Sequence, residues 1–470
     1  MQNNRRQRPA AGPVAAALRP HATAAALTPV FVEQGRASFD DAWGDEPIRK
    51  ISFYFCLAAL FLRLSILPEL IYYILHFNTY LLYLVAPLAI VSTLLKGGVQ
   101  RTFRSRAAYY WLAFFLWMAL SAPFSSWPGG SVQKVVSYGR VDVIFLILVG
   151  GMALSWKEIR VIFGTVAIAA LINLLSTRLF ERVSGDRISL VSSGTIGNSN
   201  DLAAHLLFVL PFLLFFMLGR GRSMVVRIAV PALLVYGVWI ILQTASRGGL
   251  IGLSVVFLCL LIHASLPQRL LLVVIAGVIT LVALAVLPAG TLTRLGSLFG
   301  GKHEEARESA ESRKYLFKTS VKYTFEHPLF GVGPAQFSNF EGKTSRAEGL
   351  HGNWHETHCA YTEVSSECGV PAFIFFTAGI GSAILLVLRT YRKAKQEGYP
   401  DIANGCFCYL LAMTGYLVAL IFLAQAYSFR LPAMVGLAVT MHYAAMRTMG
   451  AGGNGQTPLS TPIPQRAMHG

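Results

Sequence analysis

Three histidines and a glutamate fall within the eight residues His351-Gly352-Asn353-Trp354-His355-Glu356-Thr357-His358. Two uses are open to them. A cluster of imidazoles and a carboxylate can hold a metal ion. However, His355-Glu356-x-His358 is not the His-Glu-x-x-His spacing that sets two ligands on one helix face. The other use is a single histidine as general base, since neutral imidazole accepts a proton near neutral pH. The spacing favours that second use, and no metal is expected.

Arginines supply the complementary chemistry. Arg247 stands in Thr244-Ala245-Ser246-Arg247-Gly248-Gly249, at the start of an apolar run. A planar cationic fork beside the exposed N–H groups of a helix N-terminus suits a phosphate. An arginine snorkelling to a membrane interface has the same signature. Gly194-Thr195-Ile196-Gly197-Asn198-Ser199-Asn200-Asp201 opens another apolar run, with Arg187 just upstream as a candidate ligand contact. Asn200 or Ser199 is expected to cap that helix. Arg313 begins a third stretch, in which Lys314, Lys318 and Lys322 form a basic stripe and Phe317, Val321 and Phe325 an adjoining apolar one. Such a helix suits a membrane surface near anionic head groups. Pro328 should stop it, and Gly331-Val332-Gly333-Pro334 should turn the chain back.

The elements that must position these residues are apolar. Of 470 residues, 54% are hydrophobic and 13% charged, against roughly 25% charged in soluble domains. About twelve segments have spanning or near-spanning length: 52–75, 78–95, 108–124, 140–154, 158–177, 201–219, 224–242, 248–264, 269–288, 368–389, 403–424 and 429–446. The fold class expected is an all-α polytopic membrane protein: a helical domain over 49–448, and one large hydrophilic loop over 289–367 with short helices. Disordered cytoplasmic tails are expected at 1–48 and 449–470. The net charge of +17 does not point to nucleic acid, because the basic residues are scattered between apolar runs. They instead follow the loops alternately: Arg49, Arg101, Arg104, Arg160, Arg220, Arg269, Arg392 and Arg447 mark one set, which the positive-inside rule assigns to the cytoplasm. Both termini are then cytoplasmic and the 289–367 loop external. Six cysteines show no metal-ligand spacing. Cys359 and Cys368, nine apart on one helix, would stand too far apart for a disulfide.

The motifs resemble the O-antigen ligase family, which includes related polysaccharide polymerases. The resemblance runs over roughly 190–390. It rests on Asn198-Ser199-Asn200-Asp201-Leu202-Ala203, Ser246-Arg247-Gly248, and Arg313 ahead of His327-Pro328-Leu329-Phe330-Gly331-Val332-Gly333. His358-Cys359-Ala360-Tyr361-Thr362-Glu363 with Gly369 and Pro371 completes it. The resemblance implies a GT-C-like glycosyltransferase of twelve spans in a bacterial inner membrane. Its donor would be a glycan on a polyprenyl diphosphate at the periplasmic face, and its acceptor a lipid A core sugar or a second lipid-linked glycan. No cofactor is implied. Carried over by motif, the essential residues are His358, Arg247 and Arg313, with Arg187, Asn200, Ser246, Gly248 and Tyr361 as expected substrate contacts. One departure stands out: the family usually carries Asn where this chain has Cys359. The alternative from another class is a transporter or flippase for lipid-linked sugars. About twelve spans fit it equally, but coupled transporters place acids within spans, and here they fall almost entirely in loops or near span ends.

Overall fold

The computed structural model describes residues 47–184, 187–190, 196–219, 223–296, 304–349, 352 and 354–453. Of the expected tails, 1–48 and 449–470, residues 47–48 and 449–453 belong to helices; the rest, with His351 and Asn353, lies outside the described residues. The chain is built from helices, with one two-stranded antiparallel ribbon, β1 (Glu181–Ser184) and β2 (Arg187–Leu190), among the described residues.

Each expected apolar segment falls on a helix: α1 (Pro47–Leu64) with α2 (Leu67–Leu75), α3 (Leu81–Leu95), α4 (Arg106–Phe124), α5 (Pro128–Met152), α6 (Trp156–Leu179), α7 (Ser199–Leu218), α8 (Met224–Gln243), α9 (Arg247–His263), α10 (Leu266–Val286), α11 (Ala360–Gln396), α12 (Pro400–Phe422) and α13 (Arg430–Gly453). Eight of the described helices are long and apolar enough to cross a membrane, or nine if the pair α1–α2, bent by 62°, is one span. At 15 residues, α3 reaches only about 22 Å at 1.5 Å per residue. The protein is therefore a multi-pass membrane protein. Lipid is the solvent of α10, for only 6% of its apolar window is buried within the protein.

The fourth segment looked short because its first half is polar. It is instead a helix of 25 residues, interrupted by a π turn at Gly139–Val143. At the turn Asp142 is buried within the helix, in the field of Arg63 and Lys134. The bent first pair is held open by one side chain. Asn173 of α6 accepts from the Ile66 N–H at 3.0 Å and donates to the Leu64 carbonyl at 3.0 Å, so the groups released at the break are both paired.

Side-chain contacts separate two ends of the bundle. At one, Arg49 pairs with Glu158 and donates to the Met152 carbonyl. There too Arg101 donates to the Gly151 carbonyl, Trp156 to Asp401, and Tyr443 to the Arg104 carbonyl. This end gathers the loops that carry the excess of basic residues.

The other end carries the long polar segment. It folds into the short helix Ala289–Gly296, the helix Glu304–Glu326 and the helix Phe337–Ala347. Leu316, Tyr323, Val332 and Phe337 make a small core of their own. The apolar stripe expected on Glu304–Glu326 is not its buried face. Leu316, Thr319, Ser320 and Tyr323 are buried, whereas Phe317 and Phe325 are exposed beside Lys314, Lys318 and Lys322.

The stretch His327–Gly333 has a structural purpose that its motif conceals. Helix α11 breaks at Gly369, whose φ of 83° and ψ of 174° are open essentially to glycine alone. Val370 N–H leaves the helix to donate to the Pro328 carbonyl at 2.8 Å. Pro371 has no N–H to give. The carbonyls of Ser366 and Glu367 would thus be orphaned four residues back, in a buried place. Val332 N–H and Gly333 N–H fill them, each at 2.9 Å. The approach is close enough that a Cβ on Gly369 would stand 2.2 Å from the Leu329 carbonyl oxygen. Gly369→Ala should therefore cost about 1–3 kcal/mol from backbone strain alone, with the clash added. A clearly lowered thermal midpoint of the detergent-purified variant is expected; a parental midpoint would show that the break is not held as described.

Candidate active site

Asn198, not Asn200 or Ser199, caps α7: its side chain accepts from Asn200 N–H at 2.9 Å and Asp201 N–H at 3.0 Å. An oxygen placed one residue before the first helical turn reaches the N2 and N3 donors, which Asn200 itself cannot do. Asn200 is thereby free to take Arg187, whose Nη2 donates to Asn200 Oδ1 at 2.8 Å and whose Nε donates to the Thr244 carbonyl at 3.0 Å. This arginine, on β2, stitches the ribbon to the starts of α7 and α9.

Thr244–Gly249 turns sharply into α9. Ala245 adopts a left-handed φ of 49°, which is uncommon for a residue with a Cβ. Ser246, expected as a substrate contact, is buried and caps α9 by accepting from Gly249 N–H at 3.2 Å. Gly248 and Gly249 let the helix start press on its neighbours, since a Cβ on them would stand 2.8 Å from the Phe422 Cβ and 2.7 Å from the Ala203 Cβ. Arg247, half-buried, is the first residue of the helix so fixed.

Four arginines converge there. Arg187 lies within the fields of Arg294, Arg313 and Arg247, and Arg313 within those of Arg247 and Arg294. Burial first, and then these like charges, pull Arg187 down to about 10 and lower Arg313. No carboxylate figures among the charges that shift either one. The arrangement disfavours its own ionisation and would be relieved by a polyanion. Arg294, on the short helix after α10, was missed by the sequence reading, although it is one more arginine on the end opposite the basic loops.

His358 completes the group. It precedes the first turn of α11, in a left-handed conformation with φ of 56°. Thr357 holds it there, its Oγ1 donating to the Cys359 carbonyl at 3.0 Å and accepting from Cys359 N–H at 3.4 Å. Upstream, Trp354 N–H donates to the buried Glu341 at 3.0 Å. His358 is half-buried. Burial, then Arg313, then His355 lower its pKa to about 4. A left-handed conformation is uncommon for a residue with a Cβ and is held here by its surroundings.

The other candidates lie apart from these charges. The His355 and His358 ring centroids are 6.5 Å apart, and His355 and Glu356 are exposed. His327 is exposed and stands edge-on to Phe340. Tyr361 points into the bundle, its hydroxyl donating to the Leu417 carbonyl at 3.1 Å, so its ring packs the helix rather than facing the arginines. Among the described residues no three His, Cys, Asp or Glu side chains converge to hold a metal. Cys359 and Cys368 are buried free thiols.

Behind His358, acids act as fasteners. Glu363 accepts from Ala426 N–H at 3.0 Å, and Asp201 from Gln425 at 2.5 Å. Glu367 accepts from the Tyr427 hydroxyl at 2.7 Å, Ala335 N–H at 2.7 Å and Phe337 N–H at 3.1 Å. The link between α12 and α13 is therefore clamped to the first turns of α7 and α11. Gln425 and Tyr427 carried no sequence signal beyond being polar residues near a span end.

Cys359 is the N-cap residue of α11 and makes no side-chain cap hydrogen bond. Asparagine there would supply one, a gain of about 1 kcal/mol. Cys359→Asn should raise the thermal midpoint and keep the fold. A lowered midpoint would mean that the buried site cannot seat the amide.

Residues 232–377 match the family model described as O-antigen ligase. No curated protein matched the chain. The matched residues contain Arg247, Arg294, Arg313, the plugged helix break and His358. Over these residues the chain is similar to the O-antigen ligase family.

Proposed function

We propose that the protein transfers a glycan from a polyprenyl diphosphate to a sugar hydroxyl, at the end of the bundle that faces the periplasm. The bundle would sit in a bacterial inner membrane with both termini cytoplasmic, twelve crossings and a GT-C-like plan. The acceptor is a lipid A core sugar or a second lipid-linked glycan. The observation that carries this reading is the convergence of four arginines beside one imidazole that is neutral at physiological pH.

The chemistry balances without a cofactor. The acceptor oxygen attacks the anomeric carbon as the bond from that carbon to the diphosphate oxygen breaks. His358 takes the hydroxyl proton, and the polyprenyl diphosphate leaves with the bonding electron pair. Attack opposite the leaving group inverts the anomeric centre. A diphosphate needs neutralisation more than protonation, and Arg247, Arg313 and Arg294 would supply it at the lipid boundary, where weak screening strengthens the pairing. Arg187, held through Asn200, would add its charge. Ser246 and Gly248 would serve through the placement of Arg247.

Purified protein in detergent, given a lipid-linked glycan and an acceptor, should transfer without any membrane gradient; a pure transporter would not. His358→Ala should reduce kcat about 10²- to 10⁴-fold. Arg313→Lys and Arg294→Gln should each cost on the order of 10²- to 10³-fold in kcat/KM, the scale for losing one charge-stabilising contact. Parental rates in intact His358→Ala and Arg313→Lys proteins would end the proposal.

The pH dependence has a definite sign. A general base works when deprotonated, and lowering its pKa extends the working range to lower pH. With His358 at about 4, kcat/KM, which reports the free enzyme, should stay level from pH 7 to about 5 and fall tenfold per unit below about 4. An ordinary histidine would begin to lose activity near pH 6.5. A limb at 6.5 in the parent protein would contradict the placement of His358 in the arginine field.

A further inference from the structure

We propose that the helix Glu304–Glu326 rests on the bilayer surface at the site-bearing end, with Phe317, Val321, Phe325 and Leu329 at the acyl boundary and Lys314, Lys318 and Lys322 on anionic phosphate headgroups. Three observations carry this. The first is the division of the helix into three faces. One is buried through Leu316, Thr319, Ser320 and Tyr323, and Arg313 lies toward the arginine cluster. The third face leaves Phe325 78% and Phe317 47% exposed, with the three lysines beside them.

The second is continuity with a surface that lipid already covers. Leu116 and Leu120 of the spanning helix α4 are exposed toward lipid. That surface runs on through Phe124, which stacks on Phe330 at 4.3 Å. Next to Phe330 is Leu329, 50% exposed, whose carbonyl accepts from Trp117 of α4 at 3.2 Å. Leu329 follows Phe325 by four residues, and Gly331 N–H donates to the His327 carbonyl at 3.0 Å, so the chain stays coiled there. The end of the loop helix is thus bolted to the end of a spanning helix, at the depth of the interface.

The third is charge. A soluble apolar partner would gain nothing from three lysines flanking the phenylalanines, whereas a leaflet containing anionic phospholipid presents apolar chains and negative phosphates in that same order. Lysine stems can lie along the acyl boundary while their ammonium groups reach the phosphates. The consequence is positional: Arg313, on another face of the same helix, is held at the level where a lipid's phosphates lie.

The test reads depth and needs no catalytic activity, so it stands apart from the proposed reaction. Phe317→Cys and Phe325→Cys would each be made with Cys259→Ser, since Cys259 is the half-exposed thiol and the other five are buried. Nitroxide labels would be compared in nanodiscs of phosphatidylcholine with and without phosphatidylglycerol, using variants that elute as single folded species. At both positions, collisions with oxygen should exceed those with a water-soluble nickel chelate, and more so with phosphatidylglycerol present. Equal or greater collisions with the chelate at 317 and 325 would overturn the proposal and leave an aqueous partner as the occupant. Replacing Lys314, Lys318 and Lys322 together by Gln should abolish the phosphatidylglycerol effect, and replacement by Arg should keep it. An undiminished effect in the Gln variant would refute the headgroup contact.

Discussion

The structure depends on one broken helix and the loop that plugs it. At Gly369–Pro371 helix α11 gives up its own bonding, and the turn His327–Gly333 supplies the missing donors and takes the surplus one. His358 stands two residues before the start of that helix, whose first residue lies about 14 Å from the break at 1.5 Å per residue. Arg313 stands on the helix that runs directly into the plug. His358 and Arg313 are therefore two ends of a single fastened unit, and Glu367 ties it again through Ala335, Phe337 and Tyr427.

For the proposed reaction, electrostatics bears on the choice of a histidine as base. Beside Arg313, in a half-buried position, imidazole stays neutral and able to accept a proton. Burial does most to keep it neutral, and the field of Arg313, a charge that a diphosphate would satisfy, adds to it. When the anion binds, that field is cancelled and the imidazole becomes more basic. Donor binding would thus arm the base, with no change of shape required.

Much of this was legible in the sequence, and the exceptions share a cause. Hydropathy found the helices because lipid imposes one simple rule on them, and the basic loops gathered at one end because the same rule applies to charge. What failed was local. The first half of α5 hid its length because its glycines and polar residues interrupt the apolar pattern that marks a span. Asn198 takes the capping role expected of Asn200 or Ser199, because a cap is decided by one residue of register. Tyr361 sits in a motif yet packs a helix, and Phe317 and Phe325 form an apolar stripe that turns outward. The His327–Gly333 motif was recognisable, but its purpose appears only beside the carbonyls it completes. Arg294 lies in no motif, and its place in the cluster comes from other arginines brought close in space.

The most direct test follows the His358 imidazole by NMR in histidine-labelled protein, titrated with and without a short prenyl diphosphate. The account predicts a value near 4 in the free protein and a rise of at least one unit when the diphosphate binds, with no comparable rise for a prenyl alcohol. A His358 resonance that titrates near 6.5 and ignores the diphosphate would contradict it.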